Sequence, residues 1–366
     1  MPLVTRASIP EEFFDVTSAM LLRQPQPQFL HAQLFFVALG ASFNPGSLLG
    51  FLPSREIGGE GALYADLQEQ QLIIDDPIMS EAITVVPELG QKGIGHTVRL
   101  NRPKFVSTTY TEASRLIAAS TVISTTPSAI ASEQVPLTVK RWAGPYDSGQ
   151  AAVAPIGIDR LDAQRSVHNL AGAIGTQLVW DFHKFVDSVV VSMFDSGANV
   201  IYPQGFAQDT DFKAAGDGPF SYEMVLRSQK KHDDLSIPTF ANGNRVMILT
   251  TQQINDLAQD DLFVKFAQYN PPLNPVLRKS YFKSVAGYDI YKSTTLNQVL
   301  NGNSPNISVQ YGQAFGPGMV GAGIDEMPRT AFSTADNYGE QALVIWLMYA
   351  GWGVLDNRFG LSLRSD

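Results

Sequence analysis

Histidine is the side chain best suited to proton transfer or metal ligation near neutral pH. The chain has five: His31, His96, His168, His183 and His232. None stands in an HxxxH or HExxH pair, the spacings that put two imidazoles on one helix face. His168 and His183 fall 15 residues apart on one predicted helix. That is about four turns, too far to share an ion. Solvated or hydrogen-bonded structural roles are expected for all five. Cysteine is absent, which removes disulfides, thiolate metal sites and cysteine nucleophiles. The adjacent carboxylates Asp233/Asp234 and Asp260/Asp261 diverge and read as solvated helix surface. GPGMVGAG at 316–323 matches G-x-G-x-x-G. A dinucleotide site needs a helix to open there, so that its N-terminus faces the pyrophosphate. GIDEMPRTAF follows instead, and Pro328 blocks a helix of useful length, so a flexible glycine loop is expected. GxSxG, a Walker A lysine and the kinase set are all missing. Asn306-Ile307-Ser308 fits a glycosylation acceptor, with no sign of secretion beside it. No catalytic, cofactor-binding or metal-binding residue is expected, and the chain does not read as an enzyme.

One charged group stands out. Arg99, Arg102, Arg115, Lys140 and Arg141 gather on a single stretch. Two readings stay open: a solvated strand face, or a positive arm meeting an acidic neighbour.

The elements that carry these residues follow from periodicity. ITVVPEL and HTVRLNRPKF, within 83–106, are short strand-like pieces. Residues 104–138 mix serine and threonine with Val106, Tyr110, Leu116, Ile117, Val122, Ile123 and Ile130. That predicts extended structure with one short helical turn near 112–119. VPLTVKRWAG at 135–144 is a further strand. Together these pieces form a long β excursion that leaves and returns.

The clearest element is a helix over 159–195. Leu161, Val167, Leu170, Ala171, Ile174, Leu178, Phe182, Phe185, Val189 and Met193 recur mostly every three or four residues. Asp159 and Asp162 stand near its start, where the dipole favours negative charge. Its length is roughly 50 Å at about 1.5 Å per residue. Gly172 and Gly175 lie inside it, each costing about 1 kcal/mol relative to alanine. They permit close packing or a bend, and are the candidate hinge.

Beyond it, 196–220 reads as loop and 221–234 as a shorter helix with Ser221 as N-cap. A turn at Asn242-Gly243-Asn244 leads into RVMILTT, a buried strand at 245–251. Residues 252–269 form an amphipathic helix, closed by Pro271, Pro272 and Pro275. A strand over 283–293 turns at Gly287, 296–340 is loop-dominated, and 340–356 is an apolar strand or strand pair. Residues 1–60, punctuated by Pro25, Pro27, Pro45 and Pro53, read as an arm on a neighbouring surface or as an extension folded over its own domain.

Charged residues make up only 17% of the chain, against about 25% in ordinary domains. Either the core is large or much of the surface becomes protein contact. The net charge of −9 argues against general nucleic-acid binding. It does not exclude a container for DNA. No leader segment is visible, and the apolar stretch at 29–43 is too short to span a bilayer.

The order of elements — arm, β excursion, long helix, mixed domain, then RVMILTT, YFKSVAGYDIYKS and ALVIWLMYAGWGVL — resembles the HK97-like fold of tailed-phage major capsid proteins. RWAGPYDSGQAAVAPIGIDRLDAQRSV is similar to podophage-type members. The resemblance implies an α+β chain with an N-arm at 1–65 and a β-hairpin E-loop with flanking strands at 66–158. A peripheral domain with a spine helix would cover 159–243, an axial domain 244–330, and the return to the peripheral domain 331–366. It implies self-assembly into pentamers and hexamers of an icosahedral head around double-stranded DNA, without sequence-specific DNA binding. The protein would be built in the host cytoplasm, with scaffolding, portal and decoration proteins as partners and without cofactor or membrane. Arg99, Arg102, Arg115, Lys140 and Arg141 would then be E-loop contacts between subunits. An encapsulin-like nanocompartment shell is the alternative. An α/β enzyme using 316–323 as a nucleotide loop is the remaining one.

Overall fold

The computed structural model describes residues 82–86, 89, 97–103, 132–147, 152–159, 170–197, 199–263, 281–303, 306–332 and 341–366. Two sheets and one long helix dominate them. The first sheet is organised by β15 (Gln341–Val354). This strand pairs antiparallel with β14 (Val320–Phe332), and β1 (Ile83–Val85) adds in parallel outside β14. On its other side, β15 is shared end to end by β7 (Ile156–Asp159) and β4 (Lys140–Gly144). Between those two lies a ribbon of β5 (Tyr146–Asp147) and β6 (Ala152–Val153).

The second sheet grows around β9 (Arg245–Leu249), all of whose residues are buried, as expected for a β-branched and apolar run. It runs parallel to β11 (Tyr288–Lys292) and antiparallel to β13 (Ser308–Phe315). β10 (Tyr281–Val285) folds back on β11 through Ala286 and Gly287, with φ of 50° and 74°. Two successive positive φ values make the hairpin turn whose twist suits the strands. β16 (Gly360–Ser365) pairs with β13, β8 (Asn199–Ile201) lies parallel on β16, and β12 (Gln298–Leu300) sits on the start of β13.

Helix α1 (Leu170–Asp195) joins the sheets. Leu178, Phe182, Val186, Val190 and Phe194 recur every four residues and form one buried face. That face packs with Trp346 and Met348 of the first sheet and with Val246, Ile248 and Phe315 of the second. Helices α2 (Tyr222–Asp234) and α3 (Thr251–Gln259) bring Met224, Val225, Ile254 and Leu257 against the second sheet in a separate core. The β excursion returns as β2 (Thr97–Pro103) paired with β3 (Ser132–Thr138) over seven antiparallel positions. Its remaining part, including Arg115 and the turn expected at 112–119, lies outside the described residues, as do the proposed arm, His31, His96 and His168.

Several expectations need correction. Asp159 does not open the long helix. It closes strand β7, opposite Gln341, and the helix is described from Leu170, which gives about 39 Å over 26 residues. Residues 296–340 are not loop-dominated, since β12, β13 and all of β14 lie there. Glycine and proline suggested loop, but strands tolerate both where packing is close or the ladder bulges. Pro328 falls at the register shift between Glu326 and Arg329. The helix expected at 252–269 is interrupted: α3 ends at Gln259 with Asp260 as its C-cap, residues 261–263 are helical again, and 264–269 lie outside the described residues. Ser221 holds the N-cap position of α2 without a side-chain bond. Tyr222 N donates instead to Asp260 Oδ2 at 2.8 Å. So Asp260 is not idle surface, and neither is Asp233, which pairs with Arg245 at 2.8 Å. The sheets also cut across the expected blocks. Strand β14 joins the first sheet from residue 320, and β16 carries 360–365 back into the second.

Candidate intersubunit surface

Among the described residues, no group of three or more His, Asp or Glu is placed to hold a metal, and no helix is long and apolar enough to cross a membrane. His183 and His232 are buried, and burial lowers both to a pKa of about 3. The His232 Nδ1 stands 2.7 Å from the Tyr288 hydroxyl. The glycines of 316–323 are structural. A Cβ at Gly321 would meet Leu355 at 2.8 Å, and one at Gly323 would meet the Val86 carbonyl at 2.6 Å. Those places are filled by protein, and a strand follows where a phosphate loop needs a helix.

The surface with most character lies where the β2–β3 hairpin meets the first sheet. Val98 and Leu137 of the hairpin bury against Val86, Leu89 and Leu355. The contact is close because β15 is glycine there. A Cβ at Gly353 would stand 2.7 Å from Leu137 Cδ2, and one at Gly351 2.9 Å from the Thr138 carbonyl.

Beside this seat is a cluster of charge. Asp356 is 6% exposed and accepts from Arg358 Nε at 2.9 Å and Arg358 Nη2 at 2.6 Å. Arg102 Nη1 also donates to Asp356, and Arg102 Nη2 to Glu133 at 2.7 Å. Burial pushes the Asp356 carboxyl up. The hydrogen bonds from Arg358 and the charges of Arg102 and Arg358 outweigh it and hold the group below the usual range.

Next to it runs a groove of about 360 Å³ between the hairpin base, α1 and β15, lined by Lys140, Trp142, Val189, Ser192, Trp352 and Val354. Trp142 and Trp352 stack there at 4.8 Å. Trp142 Nε1 donates to the Ala350 carbonyl at 3.0 Å, which fixes the ring, and Lys140 Nζ lies 5.9 Å from it. Half-buried tryptophans beside a cation are typical of interface centres. On the β5–β6 ribbon Tyr146 and Val153 face each other, 62% and 46% exposed.

The basic residues singled out in sequence are thus split between elements. Arg99 and Arg102 lie three apart on β2, hence on opposite faces. Arg99 is exposed, while Arg102 turns in to Asp356. Lys140 and Arg141 belong to β4, bonded into the first sheet opposite Ala350 and Tyr349. Gly172 and Gly175 fall within the first two turns of α1. Sequence reading missed Asp356, Arg358 and the tryptophan pair. For Asp356 one signal existed: Asp-Asn-Arg suits a turn in which the aspartate caps the backbone N–H two residues on, as it does for Arg358 N at 3.1 Å.

No family model and no curated protein matches the chain. Solved structures do. The chain is similar to the capsid of cyanophage P-SCSP1u (TM-score 0.55, 15% identity, 78% of this chain and 86% of that one). It is similar to the cyanophage Pam1 capsid asymmetric unit (0.58, 10%, 77% and 88%) and the capsid of Ralstonia phage GP4 (0.53, 13%, 78% and 87%). Its fold is the one seen in these phage capsids.

Proposed function

We propose that this chain is the major capsid protein of a tailed bacteriophage, many copies of which close into the shell of the virion head around double-stranded DNA. The observation that carries the reading is the shared fold. It extends over more than three quarters of this chain and most of the length of each phage capsid structure compared. In this reading the β2–β3 hairpin is the base of the E-loop, α1 the spine helix, the first sheet the peripheral layer and the second the axial layer. Arg99, Lys140 and Arg141, which are exposed, would meet neighbouring copies, as would Arg115, which is outside the described residues. Small contacts suffice, because closure multiplies each by the number of copies. The low charge fraction fits such a surface. Assembly would take place in the host cytoplasm, with pentamers and hexamers as units and scaffolding, portal and decoration proteins as partners.

Negative-stain microscopy of the purified protein, alone and with its scaffolding partner, tests this. Shells, tubes or capsomer-sized rings are expected. A monodisperse monomer under every condition overturns it. Gly172→Ala combined with Gly175→Ala should stiffen the helix and hinder shell expansion. Normal expansion of that double variant would remove the hinge.

A further inference from the structure

We infer that Asp356 is a positioning residue, the fixed half of a releasable latch that sets the angle of the β2–β3 hairpin. The inference rests on the reading of that hairpin as an element that reaches a neighbouring copy.

A carboxylate as buried as Asp356, held by one arginine alone, resists separation, because the charge left behind has neither partner nor water. Asp356 is not in that position. Arg358 gives it two side-chain donors and a backbone N–H. All three belong to the same short turn, Asn357–Phe359 and its cap, and so stay with Asp356 wherever the hairpin goes. The hairpin is equipped in the same way. Arg102 and Glu133 are cross-strand partners in the ladder, and their ion pair at 2.7 Å lies wholly within it.

Among the described residues one ion pair joins the halves, from Arg102 Nη1 to Asp356, and Glu133 adds a longer-range attraction to Arg358 across the same gap. Breaking it strands no charge, since each half keeps its own counter-ion. Arg102 is 35% exposed and Glu133 47%, so water can take the vacated place. A strut is not built this way, but a catch that opens and closes is. The pivot is the apolar seat beside it. Leu137, 2% exposed, rests on the glycine face of β15. The seat holds the hairpin's position, and the charged link holds its angle. A groove of about 580 Å³ beside the link, lined by Arg102, Glu133, Pro136, Leu355 and Arg358, leaves room for the movement.

Hydrogen exchange on the full-length, unassembled chain separates a catch from a strut, because the two arginines should act with opposite sign. Arg102→Gln removes the link and should speed exchange in 97–103 and 132–138 about fivefold, with the unfolding midpoint unchanged. Arg102→Lys should restore part of the protection. Arg358→Gln removes the resident counter-ion, so Asp356 leans on Arg102 alone; that gain should exceed the loss of the longer-range Glu133–Arg358 attraction, and exchange in the same segments should slow. Faster exchange in both variants, or no change in Arg102→Gln, overturns the latch. Shell formation by the unsubstituted chain is read separately. Its failure sinks the capsid reading and leaves the exchange result standing.

Discussion

The second sheet and the hairpin base solve the same problem, holding polar groups away from water, in opposite ways. Under the second sheet two buried glutamines, neutral side chains, each hold one geometry. Gln253 is fully buried; its Nε2 donates to the carbonyls of Gln310 and Leu363 at 3.3 and 3.2 Å and to Ser365 Oγ at 3.0 Å. Gln313 Nε2 ties the end of α1 to the sheet through the Val191 carbonyl and Asp195, both at 3.0 Å. At the hairpin base the groups are charged, partly exposed and doubly partnered. A satisfied buried amide fixes one arrangement, because any other leaves it bare. Redundant charges let the arrangement change while every group stays paired.

The contrast can be broken in four places. The harshest is Trp346, 1% exposed, edge-on to Phe182 and bonded through Nε1 to Asp181 at 2.7 Å. Trp346→Ala should cost about 3–5 kcal/mol in denaturant unfolding. Next is acid. Folded, His183 and His232 stay neutral down to about pH 3, whereas the unfolded chain takes up protons near 6.5. Stability should therefore fall as pH drops through that window, by up to about 2 kcal/mol per histidine at pH 5. His183→Gln with His232→Gln should flatten the slope in urea titrations at pH 7 and 5. Third, Gln253→Leu leaves the carbonyls of Gln310 and Leu363 without their donor and should cost about 1–3 kcal/mol, with exchange rising in β13 and β16. The mildest is Asp356→Asn. Because the folded carboxyl lies below its ordinary value, its contribution is present above about pH 4 and lost as pH falls further. The variant should differ from the unsubstituted chain in hairpin exchange at pH 7 and converge with it in stronger acid. Convergence already at pH 5 would erase the difference between the two regions.

The parts legible in sequence were those written in local periodicity. The recurrence of apolar residues from Leu161 to Met193 showed the long helix, RVMILTT the central buried strand, and Gly287 the turn. Residues 320–332 were misread because glycine and proline signal loop when neighbours are unknown. Their need for glycine comes from Leu355, Leu89 and Val86, distant in sequence. Asp356 was hidden for the same reason. Its partner Arg102 is 254 positions away, and no window along the chain contains both. The basic residues were legible as a group but not as two faces on two sheets, since strand register decides which side each one takes.

The crossing of β16 into the second sheet has a consequence for synthesis. Asn199 emerges from the ribosome early, yet its place in the ladder is beside Leu361, which exists only after β9 to β15 have been made. Until then β8 has no strand to join, and β13 shows a bare margin where β16 belongs. Pairings between such distant segments form late and slowly, and an unpaired strand margin is a template for other chains. Each nascent chain thus carries, for the time of its own translation, an adhesive border that its finished form conceals.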